Sequence, residues 1–293
     1  MSSLKLAVPE EFSFEHAFAF LQRSSKEPLH TVNGNSVAKV LRIDNELVLF
    51  TVKEGKGSLL IDFGKGTPSK NAVEAVKRYV REWFDLDTDL KPFYALARKD
   101  DLLKGIVKKY VGHRIISIPD LFESLIWAVL GQQINVAFAY TIKQRFVEQF
   151  GERFDYDGVT HYLFPTPQTV VQLTPDQLLP LQFSRQKANY TIGIAKAFVS
   201  GDLTREKLTG LSLAEAKEQL VKIKGIGNWT ANYAMMRTFR HPESFPLEDV
   251  ALHRAIQIQL GLRKKPSLSR VKKIFRKYKG WEAYATLYLW KSL

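Results

Sequence analysis

In the stretch Leu220-Val221-Lys222-Ile223-Lys224-Gly225-Ile226-Gly227-Asn228-Trp229-Thr230-Ala231, two glycines flank a single aliphatic residue. The arm before them is predicted helical from Leu213 to Lys222, and the segment after them from Asn228 to Phe239. Gly225 and Gly227 permit a backbone turn too tight for side chains and leave amide groups unobstructed at the start of the second helix. A phosphate oxygen fits such a place. Ile226 is expected to point inward and lock the helices together, while Thr230 and the helix dipole favour an anion at the open end. Such a grip reads no base. Taken alone, the same pattern fits an ordinary pair of helices joined by a glycine turn.

Working outward, a proline-punctuated loop, His241-Pro242-Glu243-Ser244-Phe245-Pro246-Leu247-Glu248, leads to Asp249, where a further helix is expected to begin. A carboxylate there gains from the helix dipole. By position alone it is an N-cap. Beyond it, Gly261 to Gly280 carries nine basic residues (Arg263, Lys264, Lys265, Arg270, Lys272, Lys273, Arg276, Lys277 and Lys279) and no acid. Adjacent to the hairpin in sequence, that run is expected to face phosphate.

Bulk composition agrees. The chain has 293 residues, of which 45% are hydrophobic, enough for two domains, and its formal charge of +13 implies a polyanionic partner. A membrane is not expected: Ser124 to Gly131 is too short an apolar run to span one, and no basic-then-apolar leader is visible. The reading is of an intracellular, cytoplasmic protein. Absence of cysteine excludes disulfides, thiol catalysis and thiolate-held metals. The six histidines show no metal-ligand spacing, so no transition-metal site is expected, and no cofactor is expected.

Val37 to Ile43, Leu47 to Lys53 and Ser58 to Phe63 read as an antiparallel meander. A helix is expected over Ser69 to Phe84, with Val73, Val76, Tyr79, Val80 and Trp83 on one face. After about Asp89 helical patterns dominate: Phe122 to Leu130, a break at Gly131-Gln132-Gln133, then a helix carrying Ile142, Phe146 and Phe150. More are expected at Gln186 to Ser200, Asp249 to Leu260, Ser267 to Tyr278 and Trp281 to Leu293. Tyr156 to Pro167 reads as a loop. The fold class is therefore α+β: an antiparallel β-sheet domain with helices (residues 1–95), then an all-α domain (96–293).

Hairpin, proline-containing loop and Asp in this order resemble the helix-hairpin-helix base-excision DNA glycosylase superfamily, most closely its bacterial 3-methyladenine DNA glycosylase II type. The resemblance runs over nearly the whole chain. Phe84-Asp85-Leu86, Ala128-Val129-Leu130-Gly131-Gln132, Phe164-Pro165-Thr166-Pro167-Gln168, Gly225 to Tyr233 and Leu287-Tyr288-Leu289-Trp290 carry it. It implies that Asp249 is the essential carboxylate, with Glu248 the rival, and that Trp229, Tyr233, Trp290, Phe18 and Gln132 belong to a base pocket. Gly225, Ile226, Gly227 and Thr230 would hold DNA. Gln133 stands at the wedge position, where the nearest relatives carry leucine.

Two chemical expectations accompany the resemblance. Breaking an N-glycosidic bond builds positive charge on deoxyribose, which a nearby anion stabilises, and electron-rich rings attract a cationic alkylated purine. Members that also cleave the strand carry a nucleophilic lysine where this chain has Trp229, and an indole forms no Schiff base. The expected activity is hydrolytic excision of alkylated purines from double-stranded DNA by a monomer, without lyase activity. A protein of this fold that binds bent or damaged DNA without excision is the alternative.

Overall fold

The computed structural model describes residues 4–64 and 66–293. Five strands form one antiparallel sheet: β1 (Leu4–Ala7), β2 (Thr31–Asn33), β3 (Ser36–Ile43), β4 (Glu46–Gly55) and β5 (Ser58–Phe63), in the order β1-β5-β4-β3-β2. The expected meander is its centre, with Val37 opposite Val52 and Phe50 opposite Phe63. Strands β1 and β2 are additional; each is short and lies at an edge, where alternation is brief. Helices α1 (Phe14–Leu21) and α2 (Lys70–Trp83) complete this core. Ser69 caps α2, whose buried stripe of Val76, Val80 and Trp83 packs on the sheet residues Val37, Phe50, Val52 and Ile61.

Helices then follow one another: α3 (Lys91–Ala97), α4 (Lys104–Lys109), α5 (Leu121–Gly131), α6 (Val136–Phe150), the short α7 (Pro167–Val170) and α8 (Pro175–Leu178), and α9 (Arg185–Val199). After α10 (Arg205–Leu208) come α11 (Leu213–Val221), α12 (Asn228–Phe239), α13 (Val250–Gln259), α14 (Leu268–Phe275) and α15 (Glu282–Lys291). They bury two cores, one around α5, α6, α9 and α11, the other around α3, α4 and α13 to α15. Helix α12 lies between them, giving Ala231, Ala234 and Met235 to the first and Met236 to the second. Among the described residues no helix is long and apolar enough to cross a membrane.

The expected loop from Tyr156 to Pro167 is corrected. Strands β6 (Glu152–Tyr156) and β7 (Val159–Leu163) form a hairpin through Asp157 and Gly158, both at positive φ (49° and 74°). Asp-Gly is the favoured two-residue turn between twisted strands. One two-stranded hairpin thus interrupts the otherwise helical region. Arg42 of β3 pairs with Glu152, and the Tyr156 hydroxyl donates to the Gly64 carbonyl, so the hairpin docks on the sheet.

The sheet and helices also share buried charge, which makes stability depend on pH. Burial alone would raise Glu27, but attraction and hydrogen bonds from Lys143, at 2.9 Å, with His30 nearby, hold its carboxyl at about 2. His113 is lowered to about 3, first by burial and then by Lys291, His16 and Arg237. Both folded values lie below the unfolded ones, so the unfolded chain binds more protons and stability falls with falling pH. Asp85 acts oppositely: burial, only partly offset by Thr88, Arg114 and Arg240, lifts it to about 7, so its contribution is lost as pH rises from about 4 toward 7. Between about pH 6.5 and 4.5 His113 and Asp85 therefore oppose each other, whereas below 4.5 Glu27 and His113 act in the same direction, so the contribution of these three groups falls most steeply there. Glu27→Gln should remove about 1.4 kcal/mol per pH unit from the slope between pH 4.5 and 2, read by denaturant melts.

Candidate active site

The hairpin is built by its local sequence. Helix α11 ends at Val221, the Ile226 N–H closes the turn on the Ile223 carbonyl at 3.0 Å, and Ile226 is buried in the helical core. Gly225 has φ +100°, and a Cβ there would lie 2.4 Å from Cγ of Tyr190. Gly227 differs: its φ is −89°, and a Cβ would meet nothing within 4 Å. It is the exposed N-cap of α12, and no side chain caps the helix, so the leading amides are open. Gln132 Nε2 donates to the Gly225 carbonyl and to the Thr230 hydroxyl, both at 3.0 Å, bracing the hairpin from the α5–α6 turn. Thr230 is 2% exposed, so its hydroxyl serves this brace instead of the open end. Gln133 is exposed at φ 58°, a left-handed conformation uncommon outside glycine, at the tip of the same turn.

Asp249 is both a cap and the centre of a cluster. Its Oδ1 accepts the Leu252 N–H at 2.7 Å, as an N-cap should, and also the Trp290 indole N–H at 2.8 Å. Among the described residues its Oδ2 accepts only the Trp229 indole N–H, at 3.1 Å. Oδ1 is therefore the anchored oxygen and Oδ2 the less committed one. The loop before it is pinned at three points. Asn228 donates to both Glu248 carboxylate oxygens (2.9 and 3.1 Å), Asn232 accepts the Phe245 N–H at 3.1 Å, and the His253 ring contacts the Leu247 and Pro266 carbonyls (2.8 and 3.1 Å). The carboxylate thus inherits the position of the hairpin.

Trp229 stacks on Tyr233 with centroids 5.3 Å apart, and Tyr233 lies 6.4 Å from Trp290. Spacing of four on α12 puts the first two on one face. The structure so brings together Asp249, Trp229, Tyr233 and Trp290. Phe18 is half-buried and stacks on Phe14 against the sheet-side core, and Gln132 donates to the hairpin.

Three participants escaped the sequence reading. Trp127 of α5 donates to the Tyr233 hydroxyl at 3.0 Å, Arg237 reaches it at 3.4 Å, and Asn228 anchors Glu248. Arg237 could have been found, since Trp229, Tyr233 and Arg237 recur every four residues. Trp127 could not: it meets Tyr233 across 106 residues. All nine basic residues between Gly261 and Gly280 are exposed, with Lys277 paired to Asp100. Phe275 of α14 stacks on Phe245 at 4.3 Å, which sets the basic helix against the Asp249 loop.

Residues 126–280 match the family model described as HhH-GPD superfamily base excision DNA repair protein. The chain belongs to this superfamily. Residues 5–125 match the model for the N-terminal domain of 8-oxoguanine DNA glycosylase, which covers the sheet and α1 to α4. A Bacillus subtilis protein named DNA-3-methyladenine glycosylase is 40% identical over 98% of this chain and 96% of its own length. Among solved structures, a 3-methyladenine DNA glycosylase from Archaeoglobus fulgidus shares the fold, with TM-score 0.85 and 23% identity over 99% of this chain and 98% of that one. A Clostridium acetobutylicum 8-oxoguanine glycosylase/lyase, solved with DNA, also shares the superfamily fold, with TM-score 0.76 and 20% identity over 99% and 96%. The same fold is thus carried by a protein named a glycosylase and by one named a glycosylase/lyase.

Proposed function

We propose that the protein is a monofunctional DNA glycosylase that excises alkylated purines, of the 3-methyladenine and 7-methylguanine type, from duplex DNA. The observation that carries this reading is the Asp249 carboxylate, anchored through Oδ1 and bordered by two indoles and Tyr233. The hairpin grips the backbone through the open amides of α12, and the extruded nucleotide brings its sugar to Asp249. As the C1′–N bond breaks, its electron pair leaves with the base. Oδ2 faces the positive charge left on the sugar and orients the water that adds to C1′, whose proton passes to solvent. An alkylated purine is already cationic, so it departs without prior protonation. Trp229 and Tyr233 attract it by roughly 0.5–2 kcal/mol per good contact.

Trp229 stands where the lyases of the superfamily place lysine, and it has no amine to attack the sugar. The enzyme acts as a monomer, in the cytoplasm with the DNA it repairs. The test is a two-part assay of the full chain on duplex DNA containing 7-methylguanine. Free base should be released, and borohydride should trap no covalent protein–DNA adduct. Binding without release would favour a non-catalytic damage-binding protein, and a robust adduct would overturn the monofunctional assignment.

A further inference from the structure

Between the sheet and helices α2, α5, α6 and α12 lies a cavity of about 50 Å³, room for a few water-sized groups. It is distinct from the Asp249 cluster, although Trp127 and Arg237 border both. Its charged lining is unbalanced: Arg23, Lys39, Lys143 and Arg237 face Glu27 and Glu123. Both carboxylates are taken by Lys143, at 2.9 and 3.3 Å. Lys39 is 7% exposed and donates to the Leu29 carbonyl at 3.0 Å, with the Tyr79 and Trp83 rings each 5.9 Å away.

Arg237 is the least satisfied of the four. It is 5% exposed, its Nε has no hydrogen-bond partner, and its one polar side-chain contact is the Tyr233 hydroxyl at 3.4 Å. Among the described residues no carboxylate lies within 4.0 Å of it. A second guanidinium is close, because Arg23 and Arg237 both lie on the Phe20 ring, at 3.8 and 4.9 Å. Aromatic faces offset part of the desolvation, but burying a cation without a counter-charge remains unfavourable. Water in the cavity would solvate the guanidinium yet leave the charge. An anion would also offset the charge.

We infer that this cavity binds a small inorganic anion, a halide or a compact oxyanion, held by Arg237 with Arg23 and Lys39 completing a positive lining. The bound anion ties the sheet side, through Arg23 and Lys39, to α12, and it fixes the guanidinium that donates to Tyr233. This inference does not depend on the proposed reaction.

Crystals of the full chain grown in sodium bromide should show an anomalous peak in the cavity beside the Arg237 guanidinium; nitrate in its place distinguishes an oxyanion from a halide. In solution, melting temperature is compared in sodium chloride and in sodium glutamate at equal ionic strength, for the native chain and for Arg237→Met. The chloride-minus-glutamate difference should be about 2–4 °C larger in the native chain, the size expected for a site near tenfold saturation. Should Arg237→Met fail to fold, Arg237→Lys replaces it and the anomalous map decides. A cavity free of bromide and nitrate peaks, or an anion dependence equal in both chains, would overturn the inference.

Discussion

Asp249→Asn is expected to lower base release by about 10²–10³-fold or more while leaving the fold and duplex affinity nearly unchanged. Asparagine is as good an N-cap as aspartate, so Oδ1 can keep the Leu252 N–H, at 2.7 Å in the native chain, and the Trp290 indole. What disappears is the charge. The amide also sets an N–H donor against the Trp229 indole N–H, where Oδ2 now accepts at 3.1 Å. Phosphate contacts at the hairpin are untouched, so the loss belongs in single-turnover rate and not in binding. Glu248→Gln is the matched control: that side chain is exposed and held by Asn228, and its loss should stay under about tenfold. Base release by Asp249→Asn within tenfold of the native rate would remove the carboxylate from the chemistry.

The two hairpin glycines should separate folding from binding. Gly225→Ala puts a Cβ 2.4 Å from Tyr190 Cγ at φ +100°. Left-handed strain of about 1–2 kcal/mol and overpacking of about 1–3 kcal/mol add, so melting should fall by roughly 5–15 °C. Gly227→Ala has an ordinary φ of −89° and open space around the new methyl, so its melting temperature should stay within about 2 °C. Its added methyl stands at the open N-terminus of α12, where a phosphate would approach. Losing one charge-assisted hydrogen bond, about 1.5–3 kcal/mol, corresponds to about 10–100-fold weaker duplex binding by fluorescence anisotropy. Unchanged affinity with Gly227→Ala would place the phosphate elsewhere.

These contrasts show where legibility stops. The glycine pair, the loop and the Asp are contiguous, and their geometry follows from local rules: φ at Gly225, the cap at Asp249 and the four-residue repeat of Trp229 and Tyr233. The β6–β7 hairpin was equally local in its Asp157-Gly158 turn, yet the neighbouring prolines made the segment read as loop. For Phe18 and Gln132 the limit was different. Similarity placed them in the base pocket, but which face of α1 meets the sheet and which groups Gln132 can reach depend on packing.

Sequence by itself determined the chain's helical and strand periods, its positive charge, its glycine turn and the Asp that caps α13, because each depends on residues within a few turns of one another. Only the tertiary structure decided that Trp290 reaches Asp249 across 41 residues, that Trp127 and Arg237 share the Tyr233 hydroxyl, and that the buried Arg237 has no ion-pair partner among the described residues. Those contacts join distant segments. They are set by how helices pack around α12, which no local pattern specifies.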